Sequence, residues 1–163
     1  MAKIDDIDKV IDKKKGKQKA DESVKDYLFE NFIKFSAREK QNQKLKPKFG
    51  DIYTCDLGLN VGSELDNVRP CIVVTSDKYN EKSSVITVIP ISKRSKLFFH
   101  QVEINDYTVD EIETKIEGTA KLEQMTTISK GKLGRRIGRM SKKGMKLIHK
   151  AMQYHFSMER SAK

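Results

Sequence analysis

The chain has no tryptophan, three prolines and two cysteines in 163 residues. Two cysteines, Cys55 and Cys71, cannot build the disulfide framework of a small secreted domain, so a reducing, cytoplasmic setting is expected. The three histidines, His100, His149 and His155, form no ligand pattern, and the cysteines have no second pair, so no metal is expected. Glycine-rich phosphate loops and a serine nucleophile elbow are absent, and with them any expectation of a nucleotide cofactor or an acyl-enzyme. No run approaches the ~18 apolar residues of a membrane span. The opening MAKIDDIDKVIDKKK lacks the apolar core of a leader.

What is present is positive charge. Thirty-three Lys and Arg stand against 23 Asp and Glu, a formal +10. Such a balance favours an anionic partner, nucleic acid or an acidic protein, over a neutral one. Apolar residues make up 37%, enough for one modest core.

The pattern divides near Lys46. In residues 1–20, Ile4, Ile7 and Ile11 recur at helical spacing before the run Lys13-Lys14-Lys15-Gly16-Lys17. Residues 21–44 read as a helix capped by Asp21, with Val24, Leu28, Phe32 and Phe35 on one stripe and Tyr27 beside it. Lys46-Pro47 ends it. Strand patterns follow over Asp51–Leu57, Pro70–Thr75, Val85–Ile91, Gln101–Ile104, Gly118–Gln124 and Arg135–Met140. Pro90 marks its strand as an edge or an end. Ser141 caps a last helix with Met145, Ile148, Met152 and Phe156 on one face. Short strands without βαβ alternation predict a small barrel with helices outside. The domains are then a helical, charged extension, residues 1–46, and a barrel, 47–163.

Arg69, in the stretch GSELDNVRPCIVV, is a charge beside a rigid strand. It is either a strand-end arginine paired with Asp66 or Glu64, or a planar clamp for a phosphate. If the two long apolar strands pair antiparallel, Ser92 lies near it and adds a hydroxyl. His100 is either an acid or base or a half-buried strand residue. Lys130, Lys132, Arg135, Arg136, Arg139, Lys142 and Lys143 form a second candidate, a track for a phosphate backbone.

Assembled, these residues resemble the MazF/PemK toxins of bacterial toxin–antitoxin pairs. The resemblance runs from Lys48-Phe49-Gly50-Asp51-Ile52-Tyr53 through Gly62-Ser63-Glu64, Val68-Arg69-Pro70 and Val88-Ile89-Pro90-Ile91-Ser92. It resumes at Leu122-Glu123-Gln124-Met125-Thr126-Thr127-Ile128 and covers residues 48 to about 158. It implies an SH3-like small β-barrel of the CcdB/MazF type, mainly β with a C-terminal helix, here with a helical extension that the family lacks. It implies a homodimeric, metal-independent and cofactor-free endoribonuclease that cuts single-stranded mRNA through 2′-hydroxyl attack. An antitoxin protein would neutralise it, with DNA bound only inside such a complex. Arg69 and Ser92 match the catalytic positions, serine standing where threonine is usual. Ser63, Glu64, Lys93 and Gln124 would contact RNA, and Glu64 or His100 would handle protons. Two other functions fit the same fold: a barrel that binds RNA or protein without cutting, and a CcdB-like gyrase poison. The second lacks its tryptophan-bearing tail here.

Overall fold

The structure is a computed structural model. It describes residues 22–158 except 24, 27, 31, 43, 59, 61, 94–100, 106–107 and 113–114. The capping, stripe and short-helix expectations at Ile4, Ile7, Ile11, Asp21, Val24 and Tyr27 lie outside the described residues, as does His100. The chain forms two compact units, Met1–Arg38 and Glu39–Lys163.

In the first unit the described residues from 22 to 38 are helical. Leu28, Phe29, Phe32 and Ile33 are all more than half exposed.

The second unit is a nearly closed antiparallel barrel with small helices. Its strands are β1 (Asp51–Asp56), β2 (Val68–Val73), β3 (Val85–Ser92), β4 (Val102–Ile104), β5 (Val109–Ile112), β6 (Gly118–Ala120), β7 (Thr126–Ser129) and β8 (Leu133–Met140). The sheet runs β4-β6-β3-β2-β1-β8-β5, with β7 also on β3. Two helices complete it, α1 (Asp77–Lys82) and α2 (Lys142–His155).

Strand alternation sends successive side chains to opposite faces, and each face has its own core. On one, Ile52, Ile72, Ile89 and Ile91 pack with Met145 and Ile148 of α2. On the other, Tyr53, Cys55, Cys71, Val73, Ile86 and Val88 pack with Ile128 and Leu133, and Leu45 and Leu65 lie over them. The expected cap is present: Ser141 Oγ accepts from Gly144 N–H at 2.9 Å. The expected helix face is shorter, because Phe156 falls at the C-cap and stays exposed.

Several elements differ from the sequence pattern. Pro90 sits in a central strand with neighbours on both sides. It is tolerated because β6 ends beside it: Lys121 N–H donates to the Pro90 carbonyl at 2.9 Å, and no return donor is needed where the chain turns away. The stretch Gly118–Gln124 is not one strand but β6 followed by a 3₁₀ turn, Leu122–Gln124. Helix α1 and strands β5 and β7 carry no clear periodicity. Asp77–Lys82 is a helix because Ser76 caps it and Asn80 anchors it, Asn80 Nδ2 donating to the carbonyls of Pro47 and Thr75.

Candidate active site

Strand β2 begins at Val68, two residues before the pattern predicts, so Arg69 stands within a ladder and not ahead of it. The cause is the loop neck. Asn67 N–H donates to Gly58 O at 2.8 Å and Leu57 N–H to Asn67 O at 3.0 Å, and these bonds bring the chains into pairing before the proline. Asn67 turns there with φ 61°, a left-handed conformation that asparagine tolerates.

Arg69 pairs with Cys55 of β1. Strands β2 and β3 are antiparallel, with Ile72 opposite Ile89 and Cys71 opposite Pro90. The same register carried two residues on sets Arg69 across from Ser92. Antiparallel partners share a face, so guanidinium and hydroxyl belong to the face that holds Cys71 and Val88. Ser92 is buried and Arg69 half-buried. Ser92 in turn faces Thr119 of β6. Gly118 makes that closure possible: its φ is 134°, and a Cβ there would stand 2.6 Å from the Ser92 carbonyl oxygen.

The guanidinium is held from the loop side. Arg69 Nε–H donates to Asp66 O at 2.7 Å, and Nη2 meets Asp66 Oδ1 at 3.3 Å. The paired-arginine reading therefore describes the resting geometry. It does not use up the side chain, whose remaining N–H donors are left for an anion. Beside Arg69 lie thiols that take no part as nucleophiles. A hydrogen bond with Cys71, then burial, holds the Cys55 thiol well above the ordinary value, so it stays protonated.

Ser63 and Glu64 are exposed on the loop after Gly62. Gln124 fastens that loop: its Oε1 accepts from Leu65 N–H and its Nε2 donates to Ser63 O, both at 3.2 Å. The Gln124 amide, expected from the sequence to contact RNA, is thus committed to loop backbone. Glu64, Leu65, Gln124 and Lys132 help line a cleft of about 360 Å³. Lys93 is exposed and pairs with Glu117 at 3.4 Å. Lys115 and Lys93 together hold the Glu117 carboxyl below its usual range.

The expected basic track does not form one surface. Lys130 is 1% exposed, its ammonium donating to Leu45 O and Asn80 O at 3.0 and 2.5 Å. Arg136 and Arg139 turn to Asp51, at 3.2 and 3.9 Å. The Gly-Asp motif thus has a structural role, in which buried Asp51 joins the start of β1 to β8. Two charged residues carried no signal in the sequence. Asp66 looked like loop filler, and Lys121 sits in an apolar-looking stretch yet is buried on the Arg69 face. Among the described residues no group of three or more His, Cys, Asp or Glu is placed to hold a metal ion. No described helix is long and apolar enough to cross a membrane.

An arginine and a buried hydroxyl side by side, under a loop pinned by a glutamine, define a small barrel with a phosphate-sized basic site. Residues 48–156 match the family of PemK-like, MazF-like toxins of type II toxin–antitoxin systems. The chain belongs to that family of enzymes. Endoribonuclease MazF9 of Mycobacterium tuberculosis is 30% identical over 115 residues, 67% of this chain and 95% of that protein. Endoribonuclease MazF of Staphylococcus saprophyticus is 30% identical over 107 residues, 63% and 85% of the two chains. The fold is shared with crystalline MazF of Deinococcus radiodurans, at TM-score 0.61, 13% identity, 70% of this chain and 99% of that one. It is shared too with a mycobacterial endoribonuclease solved with its cognate antitoxin, at TM-score 0.56, 17% identity and 71% and 97% coverage.

Proposed function

We propose that the protein is a sequence-specific toxin endoribonuclease that cuts single-stranded mRNA without a metal and is neutralised by a cognate antitoxin. The observation that carries this reading is the register setting Arg69 across from Ser92 inside the family-matched region. In this chemistry the RNA's own 2′-hydroxyl attacks the adjacent phosphorus and the P–O5′ bond breaks, so the protein need supply no nucleophile. It must bind charge that develops on the non-bridging oxygens and manage two protons. Arg69, fixed by Asp66, meets the phosphorane with its free N–H donors, and Ser92 holds a non-bridging oxygen. Glu64, on the loop that lines the cleft, is the carboxylate placed to accept the 2′-hydroxyl proton. Ser63 and Lys93 contact the strand on either side, and the active form is a homodimer.

The test is cleavage of single-stranded RNA in excess EDTA, with identification of the fragment ends. Fragments bearing 2′,3′-cyclic phosphate and 5′-hydroxyl groups are expected. Strict dependence on added Mg²⁺, or 5′-phosphate ends, would overturn the mechanism.

A further inference from the structure

Lys121 follows β6, and its N–H bond to Pro90 O continues a ladder in which Ile91 faces Ala120 and Ser92 faces Thr119. Alternation along the strand places Lys121 with Pro90, Ser92 and Thr119 on the face of Cys71 and Arg69. It is diagonal to Ser92, on the side away from Arg69. The residue is only 6% exposed. Among the described residues its ammonium makes no hydrogen bond or ion pair. Yet that nitrogen is not among the fully buried unpaired atoms, of which Gln101 Oε1 is the one described. The small surface that Lys121 keeps therefore includes its charge, presented at the floor of a recess with the stem packed behind.

A cation in such a place is costly without an anion, and an apolar side chain of the same size would be favoured there for stability alone. Arg69 lies across Ser92 from it, so a phosphate held by the Ser92 hydroxyl would lie between two positive groups. We propose that Lys121 is a catalytic cation that, with Arg69, grips the scissile phosphate of the RNA. This rests on the reading of the protein as a ribonuclease. Lys121 donates to a non-bridging oxygen and takes no part in proton transfer. Its charge is matched only when substrate is bound, and most fully when the phosphorane carries its added charge.

The experiment compares the full chain with Lys121→Met, which keeps the length of the stem, and Lys121→Arg, which keeps the charge. It reads steady-state cleavage of a short RNA, thermal unfolding, and affinity for the same oligonucleotide with a 2′-deoxy nucleotide at the scissile position. In Lys121→Met, kcat should fall on the order of 10²-fold with a smaller change in KM. Its melting temperature should be equal or higher, and Lys121→Arg should recover part of the rate. Full kcat and KM in Lys121→Met, with Arg69 still required, would overturn the role of Lys121 alone. So would a loss of rate that only parallels a loss of stability. A parent protein that cuts no RNA overturns the ribonuclease reading and Lys121's role with it. Should Lys121→Met fail to fold, Lys121→Gln decides on the same criteria.

Discussion

Arg69 is held by one backbone oxygen and one carboxylate oxygen of Asp66, so its guanidinium is oriented before any ligand arrives. Preorganised charge is what makes a single group worth a large factor in rate. Arg69→Ala should lower cleavage by ~10²–10³-fold with an unchanged melt. Ser92→Ala should lose activity, whereas Ser92→Thr, which keeps the hydroxyl and suits a strand, should retain it; turnover on one RNA oligonucleotide checks all three. Lys130 is the opposite kind of cation, because its donors already have carbonyl partners. Burial holds its pKa below the ordinary lysine value. The unfolded chain therefore binds more protons than the folded one between that lowered value and ~10.4, and stability from this group rises with pH through that window. Lys130→Met leaves the carbonyls of Leu45 and Asn80 unpaired, a cost on the order of 1–3 kcal/mol. Denaturant titrations should show the wild type's advantage growing from neutral pH toward about 10.4. The chemistry-bearing types at Arg69 and Ser92 were legible in the sequence. Their juxtaposition was not, since register is a property of two strands and not of either one.

At the scale of elements, the loop between β1 and β2 is governed by its attachments. Its neck is fixed by backbone bonds at Gly58 and Asn67, and its far side by Gln124. Gln124→Ala removes two bonds worth ~1 kcal/mol each without touching Arg69. It should raise KM for RNA while leaving kcat largely intact. Gln124→Glu keeps an acceptor for Leu65 N–H but loses the donor to Ser63 O, and should fall between; initial-rate curves separate the two. Long strands with apolar runs, β1, β3 and β8, could be read from pattern. Strand β7, Thr-Thr-Ile-Ser, could not, because only Ile128 of its four residues is buried. Helix α1 escaped for a related reason. It is a single exposed turn and more, held by a cap and one buried asparagine, and it has no apolar stripe to betray it.

At the scale of the molecule, the extension and the barrel are separate units, and the division matters for any truncation. Residues just before Lys46 serve the barrel: Ser129 Oγ donates to Glu39 Oε1 at 3.0 Å, Asn42 Nδ2 donates to Lys130 O at 3.0 Å, and Leu45 packs on the second core. A chain beginning at Glu39 should fold and still cleave RNA. A faster rate than the full chain would make the extension a brake, and an equal rate would leave its exposed Leu28, Phe29, Phe32 and Ile33 as a surface for a partner. The charge contrast between the two segments was plain in the sequence. The role of residues 39–45 was not, because those side chains act through single hydrogen bonds to distant backbone. The two-faced sheet also bears on how such a domain changes over generations. Arg69, Ser92 and the pinned loop occupy one side, while α2 covers the other and turns Leu147 and Tyr154 outward. Substitutions on that outer helix surface can accumulate in a lineage and change what it docks with, while the opposite side stays under selection for turnover. Binding repertoire and chemistry are thereby free to evolve at different speeds in one small domain.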